Sequence, residues 1–210
     1  MGHVTWDRLQ RALDGHAPRG VSDAVGARAA VAMILRSAPE PAGDESLELL
    51  FIRRAEHPKD PWSGQMAFPG GRAEPHDDGD LETTAVRETA EEIGIELARS
   101  AERLGPLDEV RAMARMRPLN LTIQPFVFRL REPVETHPSD EVTRVHWLPL
   151  DELLAPTTRG LMDHDYQGAT LQFPCLRLHG VVIWGLTFRM FTSLAERLSA
   201  VADADGDSGR

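Results

Sequence analysis

At 210 residues, with 41% hydrophobic and 27% charged residues, the chain holds apolar material for one ordinary core and little for a second. A formal net charge of -10 leaves no general basic footprint, which argues against nonspecific binding to a nucleic-acid backbone or an anionic membrane. Cys175 is the only cysteine, so an internal disulfide framework is excluded and a reducing, cytoplasmic setting is expected.

The start, Met1-Gly2-His3-Val4-Thr5-Trp6, lacks the basic and apolar regions of a secretory signal, and Trp6 stands where a myristoylation start needs Ser or Thr. No later apolar run is long enough to span a bilayer. Trp6, Leu9 and Leu13 recur at helical spacing behind Thr5 and Asp7, predicting a short helix that ends near Gly15. His16 to Gly26 reads as a connector, so residues 1-26 stand as a helix plus linker ahead of a domain over 27-198. Ala29 to Arg36 and Leu47 to Arg53 read as consecutive strands around a polar, Pro-rich turn over Ser37 to Asp44. After a loop over Ala55 to Ser63, Gln65 to Phe68 is a brief strand stopped by Pro69-Gly70-Gly71. A helix follows over Leu81 to Ile93, with Leu81, Ala85, Val86 and Ile93 to one side and Gly94 placed to end it. Leu121 to Leu130 and Val142 to Leu148 read as strands, Asp151 to Leu154 as a short helix, and Trp184 to Leu198 as a final helix. Residues 199-210, rich in Asp, Gly and Ser, are expected to be a disordered acidic tail. This order predicts an α/β (α+β) domain, a sandwich with a mixed β-sheet between helices.

The segment that carries chemistry lies between Gly70-Gly71 and Gly94. On a helix Glu88 precedes Glu91 by three residues and Glu92 by four, so the three carboxylates share about one turn. Gathered carboxylates repel unless a counter-charge is present, and magnesium takes a few carboxylates together with water and phosphate oxygens. An acidic helix face by itself is more often only a solvated surface. Gly70-Gly71 adds a backbone free to pass close to a phosphate or to set the helix approach.

Gly71, Arg87, Glu88, Glu91, Glu92, Gly94 and Ile95 resemble the signature of the Nudix family. The resemblance to the wider fold covers about Ala29 to Leu198. It implies a Nudix-type α/β/α sandwich and hydrolysis of a diphosphate bond in a small-molecule substrate. It further implies Mg2+, or Mn2+ in its place, on Glu88, Glu91 and Glu92, with Arg87 orienting a motif carboxylate. The stretch from Gly71 to Arg87 is two residues longer than the usual pattern. Glu74, Asp77, Asp80 and Glu82 therefore all stand as partners for Arg87, and Thr89 replaces a more apolar residue. The general base is one of the helix glutamates or Glu141, since such enzymes often bring a loop acid to the site; a solvated acid at a strand entrance accounts for Glu141 equally well. His57, His76, His137 and His164 have no compact ligand spacing.

Leu49 to Arg54, Gly64 to Gly71 and Ile183 to Thr187 resemble the coenzyme A pyrophosphatase branch of that family. This implies cleavage to phosphopantetheine and adenosine 3',5'-bisphosphate, with Arg53 or Arg54 on an anionic part of the ligand. The insertion Glu56 to Trp62 breaks the branch's usual arginine spacing; Lys59 would replace the charge without the planar fork. Trp62 either stacks on the ligand or packs a loop. The alternatives are a nucleotide-sugar or ADP-ribose diphosphatase and a non-catalytic nucleotide-binding regulator. A homodimer is compatible with the sequence.

Overall fold

The computed structural model describes residues 3-14, 17-21, 26-39, 46-58, 62-114, 117-166 and 168-207. In chain order the elements are α1 (Trp6–Asp14), β1 (Ala27–Ser37), β2 (Leu47–Arg54), β3 (Met66–Ala67), β4 (Gly70–Arg72), a 3-10 turn (Pro75–Asp77), α2 (Leu81–Ile93), α3 (Leu97–Ser100), β5 (Ala101–Pro106), β6 (Val110–Ala114), β7 (Arg117–Leu130), β8 (Val142–Pro149), α4 (Leu150–Leu154), a 3-10 turn (Pro156–Thr158), β9 (Arg159–Tyr166), β10 (Ala169–Leu178), β11 (Val181–Trp184) and α5 (Gly185–Asp207). The expected helix end at Gly15, most of the polar turn after Pro39, and Lys59 fall outside the described residues, as do 208-210.

The main sheet runs β3-β2-β1-β7-β5, with β4 on β1, β6 on β7 and β8 on β2. It is mixed: β1 and β7 are parallel, Ala27 opposite Leu121 and Leu35 opposite Arg129, while the other pairings are antiparallel. Alternation along β1 explains the sandwich. Ala29, Val31, Met33 and Leu35 face a layer built with α1, α4 and α5; Ala30, Ala32 and Ile34 face α2. All seven of these side chains are buried, as expected of a strand covered on both faces.

Helix α1 belongs to the first layer through Leu9, Ala12 and Leu13, with Val4 just ahead of it. Arg8, itself buried, donates from Nε and Nη2 to the Leu198 carbonyl, at 3.2 and 2.8 Å, tying α1 to α5. Among the described residues no helix is long and apolar enough to cross a membrane.

Several parts differ from the sequence reading, β4 and α3 among them. Strands β5 and β6 and the sheet β11-β10-β9 were not expected, because their patterns are broken. Gly105 and Pro106 interrupt β5, Pro174 sits inside β10, and β9 carries Asp163 and Asp165. Trp184 ends β11 rather than opening the last helix, which begins at Gly185. That helix continues to Asp207, so residues 199-207 are helical and not a disordered tail; Ala200, Ala202 and Ala204 are strong helix formers that outweigh the Asp and Gly between and after them.

Candidate active site

The site forms where the chain changes partners in the sheet. β3 lies beside β2, Ile52 opposite Ala67, and after Pro69 the chain moves across to β1, Val31 opposite Gly70. Ala32 N–H donates to the Pro69 carbonyl at 2.8 Å at the crossing. Gly70 has φ +150°, and a Cβ there would collide with the Ala30 carbonyl and the Val31 backbone. Only glycine fits. Its N–H then points at the next element, donating to Glu92 Oε2 at 2.9 Å.

The stretch between Gly71 and Arg87 is organised by Asp77, which is buried. Its carboxylate accepts from Arg87 Nε at 3.0 Å and Nη2 at 3.1 Å, from Thr84 Oγ1 at 2.8 Å and from the Glu74 N–H at 2.8 Å. The Arg87 hydrogen bonds hold the Asp77 carboxyl far below the usual carboxylate range, and the same contacts raise Arg87 above the usual guanidinium value. Of the four acids left open by the sequence, Asp77 is thus the partner of Arg87. Glu82 faces Arg103 instead, and Asp80 caps α2 by accepting from the Glu82 N–H at 3.0 Å. The extra length follows Asp77, at Asp78 (φ 50°) and Gly79 (φ 78°), left-handed positions that turn the chain into the helix. The added residues leave the Asp77–Arg87 pair intact.

Arg87 also organises the glutamates. Its Nη1 donates to Glu88 Oε1 at 2.9 Å and Glu91 Oε2 at 3.1 Å, and Nη2 reaches the Arg72 carbonyl at 3.2 Å. Glu88 and Glu91 therefore meet at one guanidinium nitrogen, while Glu92 turns toward Gly70. Among the described residues no three acids, histidines or cysteines close on one point at metal-binding spacing. Each glutamate nevertheless keeps one oxygen outside these bonds: Glu88 Oε2, Glu91 Oε1 and Glu92 Oε1. Glu92 is buried, and loss of water pushes its pKa up to about 7 against the Gly70 hydrogen bond and the Arg54 charge that pull it down. Burial raises Glu88 as well, with Arg87 opposing and Glu91 and Glu141 adding repulsion. Hard oxygen donors, excess negative charge and costly burial form a set that suits a hard divalent cation.

Gly71 faces this set directly, since a Cβ at 71 would collide with the Glu88 carboxylate. Gly71→Ala is expected to displace that carboxylate and lower kcat about 10²-fold with little change in melting temperature, as misplacement of a reacting group by about 1 Å does. Steady-state kinetics beside thermal unfolding checks it; an unchanged kcat would remove Glu88 from the working set.

Glu141 is exposed in the loop between β7 and β8. That loop caps the C-terminus of α2: His137 N–H donates to the Ile93 carbonyl and Ser139 N–H to the Glu92 carbonyl, each at 2.8 Å. Gly94, at φ 73°, lets the helix end against His137. The anchored loop brings Glu141 close enough for its charge to raise both Glu88 and Glu92.

Beside the glycines lies a cleft of about 230 Å³, reached by Arg54, Trp62, Gly70 and Gly71. Arg53 does not line it: its side chain is exposed, next to its partner Met66 on β3. Most of the remaining wall is apolar, from Met66, Phe68, Leu121, Ile123, Leu186 and Met190, with Gln65, Arg72 and Thr187 adding polar groups. Sequence reasoning did not single out these residues as a lining, although Met66, Phe68, Leu186 and Thr187 fell in segments noted above. Thr187 Oγ1 donates to the Met66 carbonyl at 2.8 Å, fastening α5 to β3, and Trp62 Nε1 donates to the Met113 carbonyl at 3.3 Å, fixing the indole at the rim.

The NUDIX domain model matches residues 27-166 of the 210-residue chain. Proteins named "Uncharacterized Nudix hydrolase NudL" from Yersinia pestis (strain Pestoides F) and Yersinia pseudotuberculosis serotype O:1b are each 32% identical over 177 residues, spanning 82% of this chain and 80% of theirs. Among solved structures, a C. elegans Ap4A hydrolase binary complex is 20% identical, with a TM-score of 0.48 over 60% of this chain and 82% of that one.

Proposed function

The chain belongs to the Nudix family, a family of diphosphate-bond hydrolases that use divalent metal ions, and from that premise we propose that it cleaves coenzyme A or an acyl derivative with Mg2+, releasing phosphopantetheine and adenosine 3',5'-bisphosphate. The observation that carries this reading is the apolar cleft beside the acidic helix. A sugar would leave its hydroxyls facing Met66, Phe68, Leu186 and Met190 without partners, whereas a pantetheine arm presents methyl and methylene groups to them. At about 230 Å³ the cleft takes part of such a ligand, leaving the nucleotide end outside. Trp62 stands at the rim between the two parts.

In this proposal Glu88, Glu91 and Glu92 hold the divalent ion. Mn2+ suits the same oxygens. When bound, the ion supplies Lewis-acid stabilisation of charge on the diphosphate and a water of lowered pKa. Arg87, clamped by Asp77, orients Glu88 and Glu91. Gly70 and Gly71 let the backbone run beside the carboxylates with no side chain in the way. Arg54 places positive charge at the diphosphate end of the cleft, and Glu141 is the loop acid positioned to take a proton from the attacking water.

A substrate screen with Mg2+ tests the reading, with both products identified by mass. Coenzyme A should be turned over to phosphopantetheine and the bisphosphate, and EDTA should abolish turnover. Preferred cleavage of ADP-ribose or a nucleotide sugar would overturn the substrate; no turnover across diphosphates under Mg2+ or Mn2+ would overturn the metal chemistry.

A further inference from the structure

The register of β2 shows what Arg53 faces outside the cleft. Across β3, β2 and β8, Met66, Arg53 and Arg144 are direct partners in one row. Partners on adjacent strands project to the same face, with Cβ atoms about 4.5–5.5 Å apart. Met66 is a wall of the cleft, so the row starts there and steps outward through two arginines.

Both arginines are exposed, and among the described residues neither makes a side-chain hydrogen bond or an ion pair. Like charges directly opposite one another weaken a sheet. Acids are plentiful in a chain of net charge -10, and Arg19, Arg28, Arg36, Arg103 and Arg197 each have a carboxylate partner. The Arg53–Arg144 pair is therefore an unneutralised concentration of positive charge beside an anionic-substrate cleft. Nearby His146 is half-buried, and burial, then the charges of Arg144 and Arg53, hold it below the usual histidine pKa. The positive charge of this patch resides on the guanidiniums.

We propose that Arg53 and Arg144 form a subsite for a phosphate monoester carried by the substrate away from its scissile diphosphate. Two guanidinium forks match the oxygens of such a group. The inference deepens the function proposed above: coenzyme A carries a ribose 3'-phosphate, which ADP-ribose and nucleotide sugars lack. Discrimination would come from the anion left unpaired, or absent, at this row.

Calorimetric binding of adenosine 3',5'-bisphosphate and of AMP tests it on wild type, Arg144→Ala, Arg144→Lys and Arg53→Ala/Arg144→Ala. Wild type should prefer the bisphosphate by about 10-fold or more. The preference should shrink in Arg144→Ala, partly return in Arg144→Lys and vanish in the double variant. The ratio of kcat/KM for coenzyme A over 3'-dephospho-coenzyme A should fall in the same order. No preference in wild type, or one that survives in the double variant, overturns the subsite. If neither coenzyme is hydrolysed while the binding preference follows the arginines, the subsite stands and the coenzyme A reading falls. If both are hydrolysed equally well by wild type, the reverse holds.

Discussion

Glu92→Gln should reduce kcat/KM by roughly 10²–10⁴-fold, the several kcal/mol that weakened hold on a Lewis-acid ion forfeits, while leaving the folded protein at least as stable as wild type at pH 8. The two halves of this expectation come from one environment. The Glu92 side chain is buried, its pKa is pushed up to about 7, and its fixed protein contact is the Gly70 N–H at 2.9 Å. An amide oxygen accepts that hydrogen bond equally well without the cost of burying a charge. A residue kept for stability would show the opposite pattern, losing stability and activity together. Urea denaturation and steady-state kinetics on the same preparation separate the cases: retained turnover would show that Glu92 takes no part in the chemistry.

Asp77→Ala should destabilise the protein by about 3–5 kcal/mol, the range for removing one partner of a buried ion pair. The loss exceeds that of a surface pair because Arg87 is only 15% exposed and would be left with its Nε and Nη2 contacts to residue 77 missing. Thr84 Oγ1 and the Glu74 N–H lose an acceptor at the same time. The pH dependence has a definite sign. Asp77 is held below its ordinary value of 3.8, so its stabilisation is complete above that pH and is lost as the pH falls toward the depressed folded-state value. The difference between wild type and variant should be widest near neutral pH and narrow below about pH 4. A flat difference from pH 7 to pH 3 would mean that Asp77 acts by packing and not as a carboxylate.

The parts legible in the sequence were those written in local periodicity. Helix α2 begins at Leu81 and ends at Ile93 as its spacing and Gly94 predict, and strands β1, β2, β7 and β8 extend the expected runs by a few residues at most. The mixed sheet between helices follows from that order. Other features depend on contacts between distant residues. Which acid holds Arg87 was undecidable from spacing, because the extra length could lie on either side of Asp77; only the left-handed pair Asp78-Gly79 places it. Arg53 and Arg54 looked interchangeable as neighbours, yet only Arg54 lines the cleft. The cleft wall draws on β1, β3, β7 and α5, which no local window joins.

Two main-chain bonds seat the β7–β8 loop on the end of α2 and so decide where that loop tolerates a change of length. His137 and Ser139 grip carbonyls belonging to the acidic helix, while Glu132 and Pro133 upstream are exposed. Extra or missing residues at those two upstream positions are taken up as slack before the grip. An engineered insertion there is expected to leave the acid at 141 aligned with the helix.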